Sequence, residues 1–219
     1  MKKLSGVFIC LLLFTFISSA RSIEVADAGI TDKLKAVIAA KNAPAGGGGC
    51  AVYASEVTSD DDNGLGYNTE QAIMAQSTYD PGANKTICQL DFYFAGVVGT
   101  VTSIEYKAQI YIMSGSNLTG GNPTGTCTST NTVTGADISA GSPGWIAFTG
   151  FSCALNSGTD YGITVSRVDH ENVSTSNYVR LGWRVSGGTL GGFAGKFQTD
   201  LSNYSEHATN EVNVKIYTQ

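Results

Sequence analysis

Acidic and amide side chains cluster at one point of the chain, in the stretch TSDDDNGLGYN. Asp60, Asp61, Asp62 and Asn63 offer neighbouring hard oxygen atoms, which are the ligands that Ca²⁺ prefers. The stretch lacks the ligand spacing of an EF-hand loop and its distal glutamate. The sequence therefore predicts an acidic loop and leaves two descriptions open, a calcium site or a hydrated loop without an ion.

Tyrosines alternate with other polar residues in several short stretches. Tyr93, Tyr111, Tyr178 and Tyr217 fall on the polar side of these stretches, and Arg180 shares that side. Rings that stack on the C–H faces of sugars, beside groups that hydrogen-bond to hydroxyls, are what a saccharide-binding surface needs. Tyrosine is also favoured in strands for packing reasons alone. These five residues are therefore a candidate glycan-binding surface, with ordinary strand packing as the alternative.

Groups suited to catalysis are few. The two histidines, His170 and His207, lie in polar stretches typical of solvated loops, and no G-x-S-x-G nucleophile elbow occurs. Asp91 and Glu105 fall on the polar sides of two stretches that we expect to be adjacent strands, and paired carboxylates across a cleft are what glycoside hydrolysis requires. Such charges more often balance neighbouring lysines and arginines. We expect a non-catalytic protein, with a glycoside hydrolase-like enzyme as a minor hypothesis.

These side chains must be positioned by β-strands, because apolar residues after position 50 recur with a period of two. In CQLDFYF, Leu90, Phe92 and Phe94 alternate with polar residues, and SIEYKAQIYIM, DYGITVSRV, NYVRLGWRV and EVNVKIYT alternate in the same way. Turn-forming clusters such as SGSNLTGGNPTGT and VTGADISAGSPG separate these stretches. The pattern predicts an all-β fold over residues 50–219, an antiparallel β-sandwich or jelly roll with Trp183 in its core.

The beginning of the chain has a different composition. Residues 1–20 combine a positive start, an apolar run and a small-residue end, which is typical of a cleaved signal peptide. The apolar run is short for a membrane span of roughly 20 residues. Residues 21–45 predict a short N-terminal helix with its apolar residues on one face, and residues 46–49 predict a glycine linker.

Charge and cysteine content narrow the class of protein. The net charge is −5 and no basic cluster offsets it, which argues against nucleic acid as a partner. Four cysteines follow the predicted signal peptide, namely Cys50, Cys88, Cys127 and Cys153. An even number in an exported chain predicts two disulfides, with three connectivities open. We expect a secreted, extracellular protein without a membrane span in its mature chain.

The order of several segments resembles a known family. IMAQSTYDPGANKTICQLDFYF, YKAQIYIMSGSNLTGGNPTGT, GWIAFTGFSCALNSGTDYGITV and GGFAGKFQTDLSNYSEHATNEVNVKIYTQ are similar, in this order, to the choice-of-anchor R domain, a jelly-roll-like module of exported and cell-surface bacterial proteins. The resemblance covers Ala51 to Tyr217 and implies an extracellular β-sandwich without a known catalytic residue set. It places the segments around Cys127 and Cys153 near each other, which implies the pairs Cys127–Cys153 and Cys50–Cys88.

Two functions follow as hypotheses. The first is a non-catalytic binding or surface-interaction module for glycans or a surface polymer. The second is a structural subunit of an extracellular assembly that docks onto a neighbouring copy through residues 21–45.

Overall fold

The computed structural model describes residues 50–119, 121, 123–170 and 172–219, with the backbone alone for 204–206. The predicted signal peptide 1–20, helical segment 21–45 and linker 46–49 lie outside the described residues, so all three stay predictions. Within the described ranges the chain forms fifteen strands and one short α-helix. The predicted all-β fold is confirmed.

The first sheet has eight strands, and all of its pairings are antiparallel. The strands are β1 (Ala51–Ser55), β2 (Asp61–Leu65), β4 (Lys85–Val98), β7 (Gly125–Thr126), β9 (Gly144–Leu155), β11 (Tyr178–Arg184), β14 (Glu211–Val212) and β15 (Val214–Thr218). One edge of the long strand β4 pairs with β9. Its other edge pairs with β15 near the start of β4 and with β11 near its end. Beyond these, β1 pairs with β15 and β2 pairs with β11.

The second sheet has seven strands and is also antiparallel. The strands are β3 (Ile73–Tyr79), β5 (Glu105–Ser114), β6 (Asn117–Thr119), β8 (Val133–Thr134), β10 (Tyr161–Arg167), β12 (Phe193–Phe197) and β13 (Asn203–His207). Their order is β13-β12-β3-β10-β5-β6, and β8 pairs with β5. Consecutive strands β4 and β5 therefore belong to different sheets.

The main core lies between the two sheets and uses the residues that the period-two pattern selects. Phe92 and Phe94 from β4 pack with Phe148 from β9. Ile163 from β10 belongs to the same cluster, and all four are fully buried. Trp183 is 3% exposed, which confirms its predicted place in the core. Burial of these large side chains on both inner faces provides the main driving force for the sandwich.

Two disulfides tie the edges of the first sheet. Cys50, which precedes β1, is bonded to Cys88 in β4, and Cys127, which follows β7, is bonded to Cys153 in β9. Both predicted pairs are confirmed. Each bond joins a short peripheral strand to a long strand, so both bonds hold segments that have few ladder hydrogen bonds of their own.

One stretch that the sequence predicts as a turn is a helix. α1 (Gly135–Gly141) lies within VTGADISAGSPG and begins with a capping box. The Asp137 N–H donates to Thr134 Oγ1 at 3.2 Å, and the Thr134 N–H donates to Asp137 Oδ2 at 3.0 Å. These reciprocal bonds satisfy two amides of the first turn. The helix has two turns only, so its apolar periodicity is too short to read from sequence.

Candidate functional site

Asp61, Asp62 and Asn63 lie in strand β2, so the predicted loop is wrong for these three residues, whereas Asp60 precedes the strand in a bend. β2 pairs with β11, with Asp62 opposite Gly182 and Gly64 opposite Arg180. Alternation along a strand directs Asp61 and Asn63 away from Asp62. In the described part of the chain, no group of three or more His, Cys, Asp or Glu side chains could hold a metal ion. Calcium binding at Asp60 to Asn63 stays a prediction.

Four of the five predicted surface residues lie in the first sheet, and Tyr111 does not. Tyr93 is in β4, Tyr178 and Arg180 are in β11, and Tyr217 is in β15. Tyr111 is in β5 of the second sheet, so the expectation of one shared surface is wrong for this residue.

Tyr111 packs on a second apolar cluster of the second sheet. The buried members of this cluster are Ala72, Ile73, Ala75, Leu118 and Phe197. The Tyr111 hydroxyl donates to Gln109 Oε1 at 3.0 Å, and burial raises the pKa of Tyr111. Both observations assign Tyr111 a packing role.

The carboxylates considered for glycoside hydrolysis are also separated. Asp91 lies in β4 of the first sheet and Glu105 begins β5 of the second sheet, so the expectation of adjacent strands is wrong. Asp91 is 7% exposed. It accepts hydrogen bonds of 2.7 Å from Gln89 Nε2 and from the Tyr217 hydroxyl. Burial and the bond to Asp91 raise the pKa of Tyr217. Asp91 and Tyr217 are thus partners in a polar cluster.

The two histidines lie in different surroundings. His170 is half-buried. His207 ends β13, and its ring centroid lies 4.9 Å from that of Trp183. Burial and the nearby charge of Lys196 lower the pKa of His207. The predicted solvated loop is therefore wrong for His207.

A pocket of about 260 Å³ lies beside β2 and β11. It joins residues from the two predicted sites, because Asp62 and Asn63 come from the acidic stretch and Tyr178 and Arg180 come from the tyrosine-rich strand. We call it the β2–β11 pocket. Its lining residues are Asp62, Asn63, Gly64, Tyr67, Gln71, Tyr178 and Arg180.

An ion pair forms the polar side of the β2–β11 pocket. Arg180 Nη1 donates to Asp62 Oδ2 at 3.1 Å, and the two side chains remain 42% and 31% exposed. A pair this exposed contributes little to folding stability. It leaves hydrogen-bonding capacity on both partners, because a carboxylate accepts at several positions and a guanidinium has five N–H donors. The pair is therefore equipped to bind hydroxyl groups.

Two tyrosine rings form the apolar side of the β2–β11 pocket. The centroids of Tyr67 and Tyr178 lie 5.0 Å apart in an edge-to-face arrangement with an interplanar angle of 80°. Gly64 makes this arrangement possible, since a Cβ atom there would lie 2.8 Å from Tyr67 Cβ and 3.0 Å from Tyr178 Cδ2. The absence of a side chain at position 64 lets the Tyr178 ring and the Cβ atom of Tyr67 approach the backbone of β2.

Sequence reasoning missed Tyr67 and Gln71. Gln71 ends a short 3₁₀ helix, Thr69–Gln71, which Asn68 caps by accepting the Glu70 N–H at 3.0 Å. The Gln71 backbone oxygen accepts the Gly66 N–H at 2.8 Å, which holds the helix against the end of β2. Gln71 Oε1 is buried and accepts no hydrogen bond from the residues that the structure describes. The one available sequence signal was the Asn-x-Glu cap directly after Tyr67.

Comparisons with known proteins are sparse. No protein-family profile and no curated protein matches the chain. One similar solved structure is the clostridial cysteine protease Cwp84 after propeptide cleavage, with 11% identity, a TM-score of 0.49, and coverage of 78% of this chain and 40% of that one. Another contains the cysteine protease and lectin-like domains of Cwp84, a surface layer associated protein of Clostridium difficile, with 12% identity, a TM-score of 0.42, and coverage of 67% and 32%.

The chain thus spans less than half the length of either structure. Likenesses this remote assign no activity to it. Across the described ranges, no helix has the length and apolar character to cross a membrane.

Proposed function

We propose that this protein is an extracellular, non-catalytic module that binds neutral glycans in the β2–β11 pocket. One observation carries the proposal: the Tyr67–Tyr178 ring pair and the Asp62–Arg180 ion pair line the same pocket. The extracellular location is supported by the two disulfides, which persist in oxidising compartments.

The two sides of the pocket match the two kinds of surface on a sugar. A pyranose ring with equatorial hydroxyls has flat apolar C–H faces and a polar rim. The tyrosine rings offer apolar contact area at a low cost in side-chain entropy. The Asp62 carboxylate can accept hydroxyl protons, while the Arg180 guanidinium can donate to hydroxyl oxygens. β-Linked glucose and N-acetylglucosamine chains present this combination of faces along their length.

Charge favours neutral sugars over acidic ones. The chain carries a formal net charge of −5, and Arg180, the cation of the pocket, is already paired with Asp62. A negatively charged protein repels anionic polymers at long range. We therefore expect uronic acid polymers and sulfated glycans to bind more weakly than neutral chains of the same length.

The size of the pocket indicates weak binding. Its volume of about 260 Å³ is slightly below the range of roughly 300–1,000 Å³ that is common for small-molecule sites. A pocket of this size holds a short stretch of sugar and buries a limited area. We expect a dissociation constant on the order of 1 mM for a disaccharide, which corresponds to about 4 kcal/mol.

Calorimetric titration of β-linked glucose and N-acetylglucosamine oligosaccharides tests the proposal. Tyr178→Ala and Arg180→Met should each weaken binding roughly tenfold, equivalent to about 1.4 kcal/mol. Tyr53→Ala is the matched control, because Tyr53 is an exposed tyrosine of β1 and does not line the pocket. Circular dichroism verifies that each variant is folded. The proposal is overturned if the wild type binds neither the glucose nor the N-acetylglucosamine oligosaccharides. It is also overturned if Tyr178→Ala binds them with wild-type affinity.

A further inference from the structure

The geometry of the first sheet points to a second ring site, formed by Trp145 and Tyr93, that extends the β2–β11 pocket. We infer that the preferred glycan is a chain long enough to contact both sites. This inference rests on the proposed function, because it assigns the length of the ligand and the direction in which it crosses the sheet.

The two rings of this second site face each other across neighbouring strands. Trp145 in β9 is the register partner of Tyr93 in β4. Their ring centroids are 5.5 Å apart with an interplanar angle of 62°. Both residues are half-buried, so each keeps some surface that is accessible to a ligand. Neither residue lines the β2–β11 pocket.

Tyr93 connects the ring site to the pocket. The Tyr93 ring reaches over β11 at Gly182, where a Cβ atom would lie 2.7 Å from Tyr93 Cδ1. Gly182 is the register partner of Asp62, the carboxylate of the pocket. The missing side chain at Gly182 therefore brings an aromatic edge next to the polar side of the pocket. Trp145, Tyr93, Gly182 and Asp62 thus follow one another on neighbouring strands, and we call this row the band.

The span of this band sets the length of the ligand. A path from Trp145 on β9 to Asp62 on β2 crosses β4 and β11. Three inter-strand spacings of about 4.8 Å give on the order of 14 Å. One sugar ring cannot bridge that distance, so contact with both sites needs an oligosaccharide that lies across the strands.

Trp145 is held in place before any ligand binds. Lys215 Nζ lies 4.1 Å from the Trp145 ring centroid, which is a favourable cation–π distance. Tyr93 contacts the same indole from the neighbouring strand. A ring that is already fixed loses little conformational entropy on binding, so more of its contact energy appears as affinity. The Lys215 ammonium covers one face of the indole, so a sugar would contact the part of the ring that the ammonium leaves open.

A series of oligosaccharides from disaccharide to hexasaccharide tests this inference by calorimetric titration. With β-linked glucose and N-acetylglucosamine oligomers, wild-type affinity should rise at least tenfold along the series. Trp145→Ala should remove that rise and leave the affinity for the disaccharide within twofold. Tyr178→Ala should instead weaken binding at every length. Tyr53→Ala is again the control variant.

A fluorescence measurement covers the case in which Trp145→Ala fails to fold. The chain has two tryptophans, and Trp183 is buried in the core. The hexasaccharide should change the emission of the wild type and leave that of Trp145→Phe unchanged. The second site is overturned if the wild type binds all lengths with equal affinity, or if Trp145→Ala loses affinity equally at every length. Neither result contradicts the β2–β11 pocket. Loss on Trp145→Ala without loss on Tyr178→Ala overturns the pocket, and no binding at all overturns both.

Discussion

Replacing Glu211 by glutamine tests how the loop before β12 is held. The Glu211 side chain is buried, since the residue is 4% exposed. Its two carboxylate oxygens accept the backbone N–H groups of Leu190 and Gly191, each at 2.8 Å. Leu190 belongs to the main core. The carboxylate therefore fixes the loop through which this core residue enters.

The loss of stability expected for Glu211→Gln follows from these two hydrogen bonds. Glutamine has the same shape as glutamate but only one acceptor oxygen, so one of the two buried N–H groups would face an NH₂ group. Loss of a hydrogen bond to a charged group costs about 1.5–3 kcal/mol. At about 2–4 °C per kcal/mol for a domain of this size, the melting temperature of Glu211→Gln should fall by roughly 3–12 °C.

Differential scanning calorimetry at neutral pH measures this change. Glu105→Gln is the matched control, because Glu105 is exposed at the start of β5, and surface substitutions change stability by about 0.5 kcal/mol or less. A melting temperature for Glu211→Gln that equals that of Glu105→Gln would show that the two N–H groups find other partners. The account of the loop would then be wrong.

Three further predictions concern stability. Burial raises the pKa of Glu56, but the Thr58 N–H and Arg184 outweigh it and hold the pKa below its usual value of 4.5. The stabilisation from this carboxylate is therefore present above that pH and lost as the pH falls. Glu56→Gln should flatten the acid side of a plot of melting temperature against pH. Joint replacement of Cys50 and Cys88 by serine opens a loop with a sequence separation of 38. Because the unfolded chain then gains entropy, the free energy of unfolding measured in urea should fall by about 3.9 kcal/mol; an unchanged urea midpoint would contradict this. Thr134→Ala removes the cap of α1 and should cost about 1 kcal/mol, whereas Thr134→Ser should restore most of it.

The strands and their buried faces were predictable because they depend on local alternation. Leu90, Phe92 and Phe94 in β4 alternate with polar residues, and the structure buries all three. Alternation does not reveal which sheet a strand joins. Tyr93 and Tyr111 have the same pattern around them, yet β4 and β5 lie in different sheets. That assignment depends on long-range pairing, which a single sequence does not contain.

The pocket was predictable only in part for the same reason. Asp62 and Arg180 are 118 positions apart, and they meet because β2 pairs with β11. The sequence of β2, DDNGL, has one large apolar residue, Leu65, so it carries no alternation that predicts a strand. The chemistry of both residues was visible in the sequence, while their proximity was not.

The position of β2 has a consequence for how such a domain could diversify. Within the described ranges β2 pairs with β11 alone, and Leu65 is the one fully buried residue in its five. Exchanges at Asp62, whose side chain lies on the face opposite to Leu65, would thus alter what the pocket selects and spare the packed interior. Relatives with this scaffold could acquire new preferences through a handful of substitutions in a single peripheral strand, and a laboratory library confined to that strand would reproduce the process.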